Sequence, residues 1–153
     1  MNLKQRAVDY VRSTMEDSNM GLESVLYKCD RGVDLKQLRL KPWAVASEVM
    51  GRFKKTNQIH RWFLENIQNG VDDGRFYLVE EYQFKKLYRL CTTVDSNPER
   101  AEELLPTLKG FDIGSAKYDE VYYENLSKVL IILRHINNTF DFNNNDLVYS
   151  SSH

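Results

Sequence analysis

His60, Arg61 and Trp62 stand in a row inside Ile59–Phe63. Together they offer an imidazole that can carry or accept a proton, a guanidinium fork and an aromatic platform. Such a set can hold a phosphorylated or planar ligand through stacking and charge-assisted hydrogen bonds. A helix turns about 100° per residue, so His60 lies beside Phe63 while Arg61 points elsewhere. The competing reading is structural, with Trp62 and Phe63 in the core, His60 half-buried and hydrogen-bonded, and Arg61 in solvent. Asp72 and Asp73 follow, and with Asp112 they are candidate carboxylates for acid–base work beside His60 or for a cation. An Asp before Gly74 is equally what a tight reversal requires. The spacing H-x11-D-D matches no metal motif, so no metal and no cofactor is expected.

Thr107–Ser115 gathers Lys109, Gly110, Gly114 and Ser115 in one loop. A triphosphate-cradling loop needs its lysine after the glycines, between a strand and a helix; here the lysine comes first. The segment reads instead as a structured surface loop with Phe111 turned inward, of the kind that carries binding residues on a rigid scaffold. Tyr118, Tyr122 and Tyr123 stand among Asp119, Glu120 and Glu124 at a helix start. Tyr122 fits the apolar stripe of that helix. Tyr118 and Tyr123 fall off it, where tyrosine suits a pocket or an interface. His135 lies late in the same helix, where a cation suits the dipole, and His153 is assigned no role. No Ser/His/Asp or Cys/His spacing stands out from chance.

The elements that must position these residues follow from hydrophobic spacing. Leu3, Ala7, Tyr10, Val11 and Met15 mark an amphipathic helix from Asn2 to about Asp17. Gly21–Cys29 is rich in β-formers and ends at the Asp30-Arg31-Gly32 turn, so it reads as a strand. Val33–Lys41 is ambiguous. Pro42 opens a helical stretch from Trp43 to Asn69, as one helix or as two broken near Gly51. Ile59, Phe63 and Ile67 share a face there, and Asn69-Gly70 and Asp72-Asp73-Gly74 end the helix and reverse the chain. Arg75–Val79 is a short strand. Phe84, Leu87, Tyr88, Cys91 and Val94 mark another helix, and Asn97 caps a brief one from Pro98 to Leu105. Tyr122, Leu126, Val129, Leu130, Leu133 and Ile136 form the longest stripe, in the last helix. Leu147-Val148-Tyr149 makes a terminal strand. The expected fold is α+β and mainly helical, with about four or five helices on a small sheet of about three short strands near Val25, Tyr77 and Val148.

The 153 residues suit one domain spanning 1–153, and the formal charge of −1 argues against nonspecific nucleic-acid binding. The longest apolar run, Val129–Leu133, is far too short to cross a bilayer. The N-terminus lacks the continuous apolar core of a secretion signal, so a cytoplasmic protein with no membrane partner is expected. Cys29 and Cys91 have no CxxC partner and read as plain thiols in or near the core.

Four fragments carry a resemblance: NMGLESVLYK at 19–28, KKTNQIHRWFLENIQNGVDDGRFYLV at 54–79, AEELLPTLKGFDIGSAKYDEVYYENL at 101–126, and the FDF…YSSSH tail. In pieces over most of residues 20–153 the chain resembles a family of small phage- and prophage-encoded proteins. Those open with a Met-Gly-Leu-Asp-Met-Tyr-Leu-like strand, continue through an Asn-x-Ile-His-x-Trp-Phe helix, a Val-Gln-x-Gly-x-Asp-Asp turn and a Leu-Leu-Pro-Thr-x-x-Gly-Phe loop, and close in a Tyr-x-Ser-Ser-Trp-like end. The resemblance picks out Asn57, His60, Trp62, Asp72, Asp73, Thr107, Gly110, Phe111, Gly114, Tyr118, Asp119 and Tyr123. Here Glu23-Ser24 replaces the Asp-Met pair, Asp112-Ile113 interrupts an aromatic run after Phe111, and His153 replaces the final Trp. Residues 1–19 lie outside the resemblance and read either as an added docking helix or as a stretch ahead of an older start at Met20.

The expectation that results is a phage accessory protein in the host cytoplasm, serving host takeover or counter-defence. It acts without chemistry, by binding a host protein or a small nucleotide-like ligand. Asn57, His60, Arg61, Trp62, Thr107, Gly110, Phe111, Gly114, Tyr118, Asp119 and Tyr123 would form one site. The alternatives are a small phosphodiester or nucleotide hydrolase using His60 with Asp72, Asp73 or Asp112, and a homo-oligomeric structural part of the phage.

Overall fold

The computed structural model describes residues 21–110 and 113–153. Strands β1 (Glu23–Asp30), β2 (Ala46–Lys54), β3 (Tyr77–Val79) and β4 (Asn145–Ser152) form one antiparallel sheet in the order β2-β1-β4-β3. The helices are α1 (Leu35–Leu40), α2 (Pro42–Val45), α3 (Asn57–Asn66), α4 (Glu81–Ser96), α5 (Ala101–Leu104) and α6 (Glu120–Thr139), with a 3₁₀ turn at Pro98–Arg100. The fold is α+β. No helix among the described residues is long and apolar enough to cross a membrane.

β1 is central and buried on both faces, which its side chains divide by strand alternation. Leu26 faces a large core with Phe53, Phe63, Leu147, Tyr149 and the stripes of α4 and α6. Val25, Tyr27 and Cys29 face a smaller core with Leu38 and Val148, edged by Val33, Leu35 and Val45. The helical stripes on Phe84–Val94 and Tyr122–Ile136 are buried as their spacing requires. α6 crosses close over β2 at Gly51, where any Cβ would meet the Ile132 side chain at 2.6 Å.

The principal correction concerns Trp43–Asn69, expected to be helical. Ala46–Lys54 is a strand, so the sheet has four strands rather than three, and the described residues hold six α-helices rather than four or five. Val45, Val49 and Phe53 recur at four-residue steps and imitate a helical stripe. What decides is tertiary: β2 pairs with β1 from Glu23↔Lys54 to Cys29↔Ala46, shifting register past Met50. Val33–Lys41 resolves as α1, whose N-cap Asp34 accepts hydrogen bonds from the Lys36 and Gln37 amides. Asn97 was expected to cap the brief helix after it; instead its side-chain amide donates to the Thr93 carbonyl and closes the end of α4. The helix expected over Asn2–Asp17, and with it the docking element at 1–19, lies outside the described residues.

Leu133 is 1 % exposed in the middle of the α6 stripe. Leu133→Ala is expected to lower unfolding free energy by about 2–5 kcal/mol in urea titration. A loss below about 1 kcal/mol is incompatible with α6 as the core helix.

Candidate functional site

Helix α3 sorts the polar residues by face. His60 turns toward the sheet, where it is fully buried and its Nδ1 lies 2.7 Å from the Tyr149 hydroxyl on β4. That hydroxyl is in turn 2.9 Å from Ser24 Oγ at the start of β1. After α3 the chain reverses through Asn69 (φ 53°) and Gly70 (φ 78°), left-handed conformations that the Asn-Gly pair accommodates. The reversal returns Asp72 to His60. Its Oδ2 stands 3.2 Å from His60 Nε2, without the alignment of a hydrogen bond, and accepts a hydrogen bond from His153 Nε2, just past β4, at 2.9 Å. The two imidazole rings meet edge-on at 5.7 Å. A helix, a turn and a strand end thus converge on a His–Asp–His corner, with Asp72 and His153 partly exposed and His60 beneath them.

Burial holds the His60 imidazole below the ordinary histidine value of about 6.5; the Asp72 carboxylate pulls it back upward and His153 pushes it further down. The Tyr149 hydroxyl is pushed up by burial first, so it stays protonated as a link between His60 and Ser24. Asp73 does not join the corner. It accepts hydrogen bonds from the Tyr77 hydroxyl (2.7 Å) and the Arg75 amide (3.0 Å), and the Tyr77 bond leads the causes that hold its carboxyl below the usual range. Asp112, the third carboxylate of the hydrolase reading, lies outside the described residues, as does Phe111.

The opposite side of α3 meets the glycine loop. Asn57 donates to the Ser115 carbonyl (2.8 Å) and accepts from the Leu108 amide (3.3 Å), while Arg61 Nη1 donates to the Thr107 carbonyl (2.6 Å). Thr107 is further held by the Tyr118 hydroxyl on its amide (3.1 Å) and by its own hydroxyl donating to Ala116 (2.8 Å). Asp119 caps α6 by accepting from the Tyr122 amide, and the Tyr123 hydroxyl donates to the Pro98 carbonyl. Gly114, at φ 95°, lets the loop lie against the Lys55 carbonyl, which a Cβ would approach to 2.5 Å. Gly110 packs against Ile113. These residues frame a cleft of about 420 Å³ between the start of α3, the loop and the first turns of α6, lined by Lys55, Gln58, Gly114, Ser115, Tyr122 and Asn125.

The chain matches no family model, no curated protein and no solved structure.

The residues expected to share one site therefore fall into two groups. Asn57, Arg61, Thr107, Gly114, Tyr118 and Asp119 gather around the loop, and of these only Gly114 lines the cleft itself. His60 is on the other side with Tyr149. Trp62 is 5 % exposed, packed edge-on against Phe63, and lines neither the cleft nor the corner. Sequence reasoning passed over His153, Tyr149 and Ser24 at the corner and Lys55, Gln58 and Asn125 at the cleft. The first three carry no local signal, because they meet His60 only through the order and register of the sheet. Both cysteines are buried free thiols. Burial, with Asp146 and Asp30 nearby, pushes Cys29 up to about 11, and burial raises Cys91 as well, so neither supplies a thiolate.

Tyr149→Phe leaves His60 Nδ1 and Ser24 Oγ without their shared partner in a dry site, and an unfolding free energy lower by about 1–3 kcal/mol is expected in urea titration. His60 also sets a pH dependence. With the folded value depressed, the unfolded chain binds more protons as pH falls, so His60 contributes fully above about pH 6.5 and its contribution is lost below that. In EDTA, Tm is expected to fall more steeply between pH 7.5 and 5.5 in the wild type than in His60→Asn. Equal slopes would mean that the imidazole takes up its proton in the folded state as readily as in the unfolded one.

Proposed function

We propose that the protein is a phage accessory protein that works by binding a small, anionic, nucleotide-like ligand in the cleft beside α3, with no chemistry of its own. The observation that carries this reading is the cleft's size and lining. About 420 Å³ lies within the range of small-molecule sites. Lys55 supplies a cation, Gln58 and Asn125 supply amides, Ser115 supplies a hydroxyl and Tyr122 an aromatic edge.

The start of α3 adds to this. Its cap residue Thr56 donates its hydroxyl back to the Lys54 carbonyl and makes no side-chain bond to the first turn. The positive end of the helix is therefore not satisfied by its own cap, and Lys55 and Gln58 flank it at the cleft. A phosphate between Lys55 and the first amides of α3, with the rest of the ligand along the Gly114 loop, uses these groups together. The hydrogen bonds from Asn57, Arg61 and Tyr118 hold that loop in place before any ligand arrives, which lowers the ordering cost of binding.

The test is calorimetric titration with a panel of linear and cyclic mononucleotides and dinucleotides. At least one is expected to bind and to raise Tm. Lys55→Gln is expected to weaken it by about 1.5–3 kcal/mol, the worth of a charge-assisted hydrogen bond. Failure of every probe, or equal affinity in Lys55→Gln, refutes the cleft as the site. Turnover of a nucleotide that survives Lys55→Gln but disappears in Asp72→Asn would move the function to the histidine corner and to the hydrolase reading.

A further inference from the structure

We propose that His60, Asp72 and His153 form a binding site for a first-row divalent transition ion, with Zn²⁺ as its probe. The inference is independent of the cleft and rests on the corner's geometry. One ligand atom from each residue falls within 4.8 Å of the other two. Bonds of about 2.0–2.1 Å meeting at a tetrahedral angle place ligand atoms about 3.3 Å apart. Asp72 Oδ2 already stands 3.2 Å from His60 Nε2 and 2.9 Å from His153 Nε2. Both spacings lie within about 0.4 Å of that value.

The second observation is the buried nitrogen. His60 is fully buried, and its Nε2 has no hydrogen-bond partner. A buried polar atom left unmatched is costly. The Asp72 oxygen is near it but off the axis of the ring nitrogen, which is how a second ligand of one ion stands, not how a hydrogen-bond acceptor does. The other nitrogen is accounted for. With Nδ1–H donating to the Tyr149 oxygen at 2.7 Å, and the Tyr149 hydroxyl donating to Ser24 at 2.9 Å, the neutral ring keeps its Nε2 lone pair free toward Asp72 and His153. Metal-ligating histidines are oriented in this way by a bond from the nitrogen that does not bind.

The donor set selects the ion. Two imidazoles and one carboxylate favour Zn²⁺ and its neighbours over Mg²⁺ or Ca²⁺, which require mostly oxygen. Binding replaces the hydrogen bond between His153 and Asp72 with two bonds to the metal, so both imidazoles must be neutral. Asp72 and His153 are partly exposed, which leaves a solvent-facing position for water. Three protein ligands and one solvent-facing position make an open site rather than a closed structural one. The ion would also fasten α3, the turn after it and the end of β4 to one another.

The full chain, stripped with chelator and exchanged into metal-free buffer at pH 7.5, is titrated with Zn²⁺ by calorimetry and melted with and without it. One ion per chain is expected, with a rise in Tm, and Co²⁺ is expected to give the visible spectrum of a nitrogen- and oxygen-ligated ion. Asp72→Asn and His153→Ala alter partly exposed side chains, and unchanged melting in EDTA verifies that they fold. Each is expected to weaken Zn²⁺ by more than about tenfold, the lower limit even for loss of an outer-shell partner, while Asp73→Asn binds as the wild type does. No Zn²⁺ uptake by the wild type, or undiminished affinity in Asp72→Asn or His153→Ala, overturns the site.

Discussion

The hydroxyl of Tyr149 is the point on which the arrangement of the molecule turns. Its ring lies fully buried in β4, stacked on Phe63 of α3 at 3.7 Å, and its oxygen is shared between His60 Nδ1 and Ser24 Oγ. Stacking alone would hold α3 against the sheet but would tolerate rotation of the helix. The hydrogen bond does not, because a buried hydroxyl and a buried ring nitrogen that lose each other have no water to turn to. α3 is therefore docked in a single rotational setting, with His60, Ile59 and Phe63 inward and Asn57, Gln58 and Arg61 directed to the loop and α6.

The same interaction depends on strand register. β1 and β4 pair without a break from Glu23↔Ser152 to Asp30↔Asn145, placing Ser24 opposite Ser151 and Leu26 opposite Tyr149. A slip of one residue would send Tyr149 to the opposite face, among Val25, Tyr27 and Leu38, and remove His60's partner. Both faces of this sheet are covered, so the slip would exchange the two cores as well. Their unequal composition opposes it: the large core takes a tyrosine hydroxyl and a histidine, the small one has aliphatic residues and a stacked Tyr27–Phe76 pair. Register also sets where His153 emerges, one residue beyond the pairing of Ser152 with Glu23.

Much of the helical core was legible because its signals are local. The stripes on α4 and α6 and the Asn69-Gly70 reversal follow from spacing and turn chemistry within a few residues. β2 was not legible. Its apolar spacing suits either period, and its state is decided by pairing with β1, which lies earlier in the chain beyond two short helices. The candidate site divides along the same line. That His60 and Arg61 point apart is a property of any helix and could be read directly. That His60 meets Tyr149 and His153, about 90 residues on, depends on sheet order and register, which no local pattern encodes. The loop residues were singled out for their chemistry, yet Asn57, Arg61, Thr107 and Tyr118 spend hydrogen bonds on the backbone of the loop and so define the cleft's shape more than its lining.

Gln58 and His60 are two residues apart and thus about 200° around the helix axis, which is why one histidine helix serves two separate places. Its N-terminal turn faces the cleft through Lys55 and Gln58, and its middle faces the corner through His60. The shared element makes neither place free to move without the other. A shift of α3 along its axis that widened the cleft would draw His60 away from Tyr149, and the buried hydrogen bond opposes it. The tether from Asn57 and Arg61 to the loop opposes the reverse shift. Rigidity at both ends of a ten-residue helix therefore comes from polar bonds, while its apolar stripe supplies the adhesion that keeps those bonds dry.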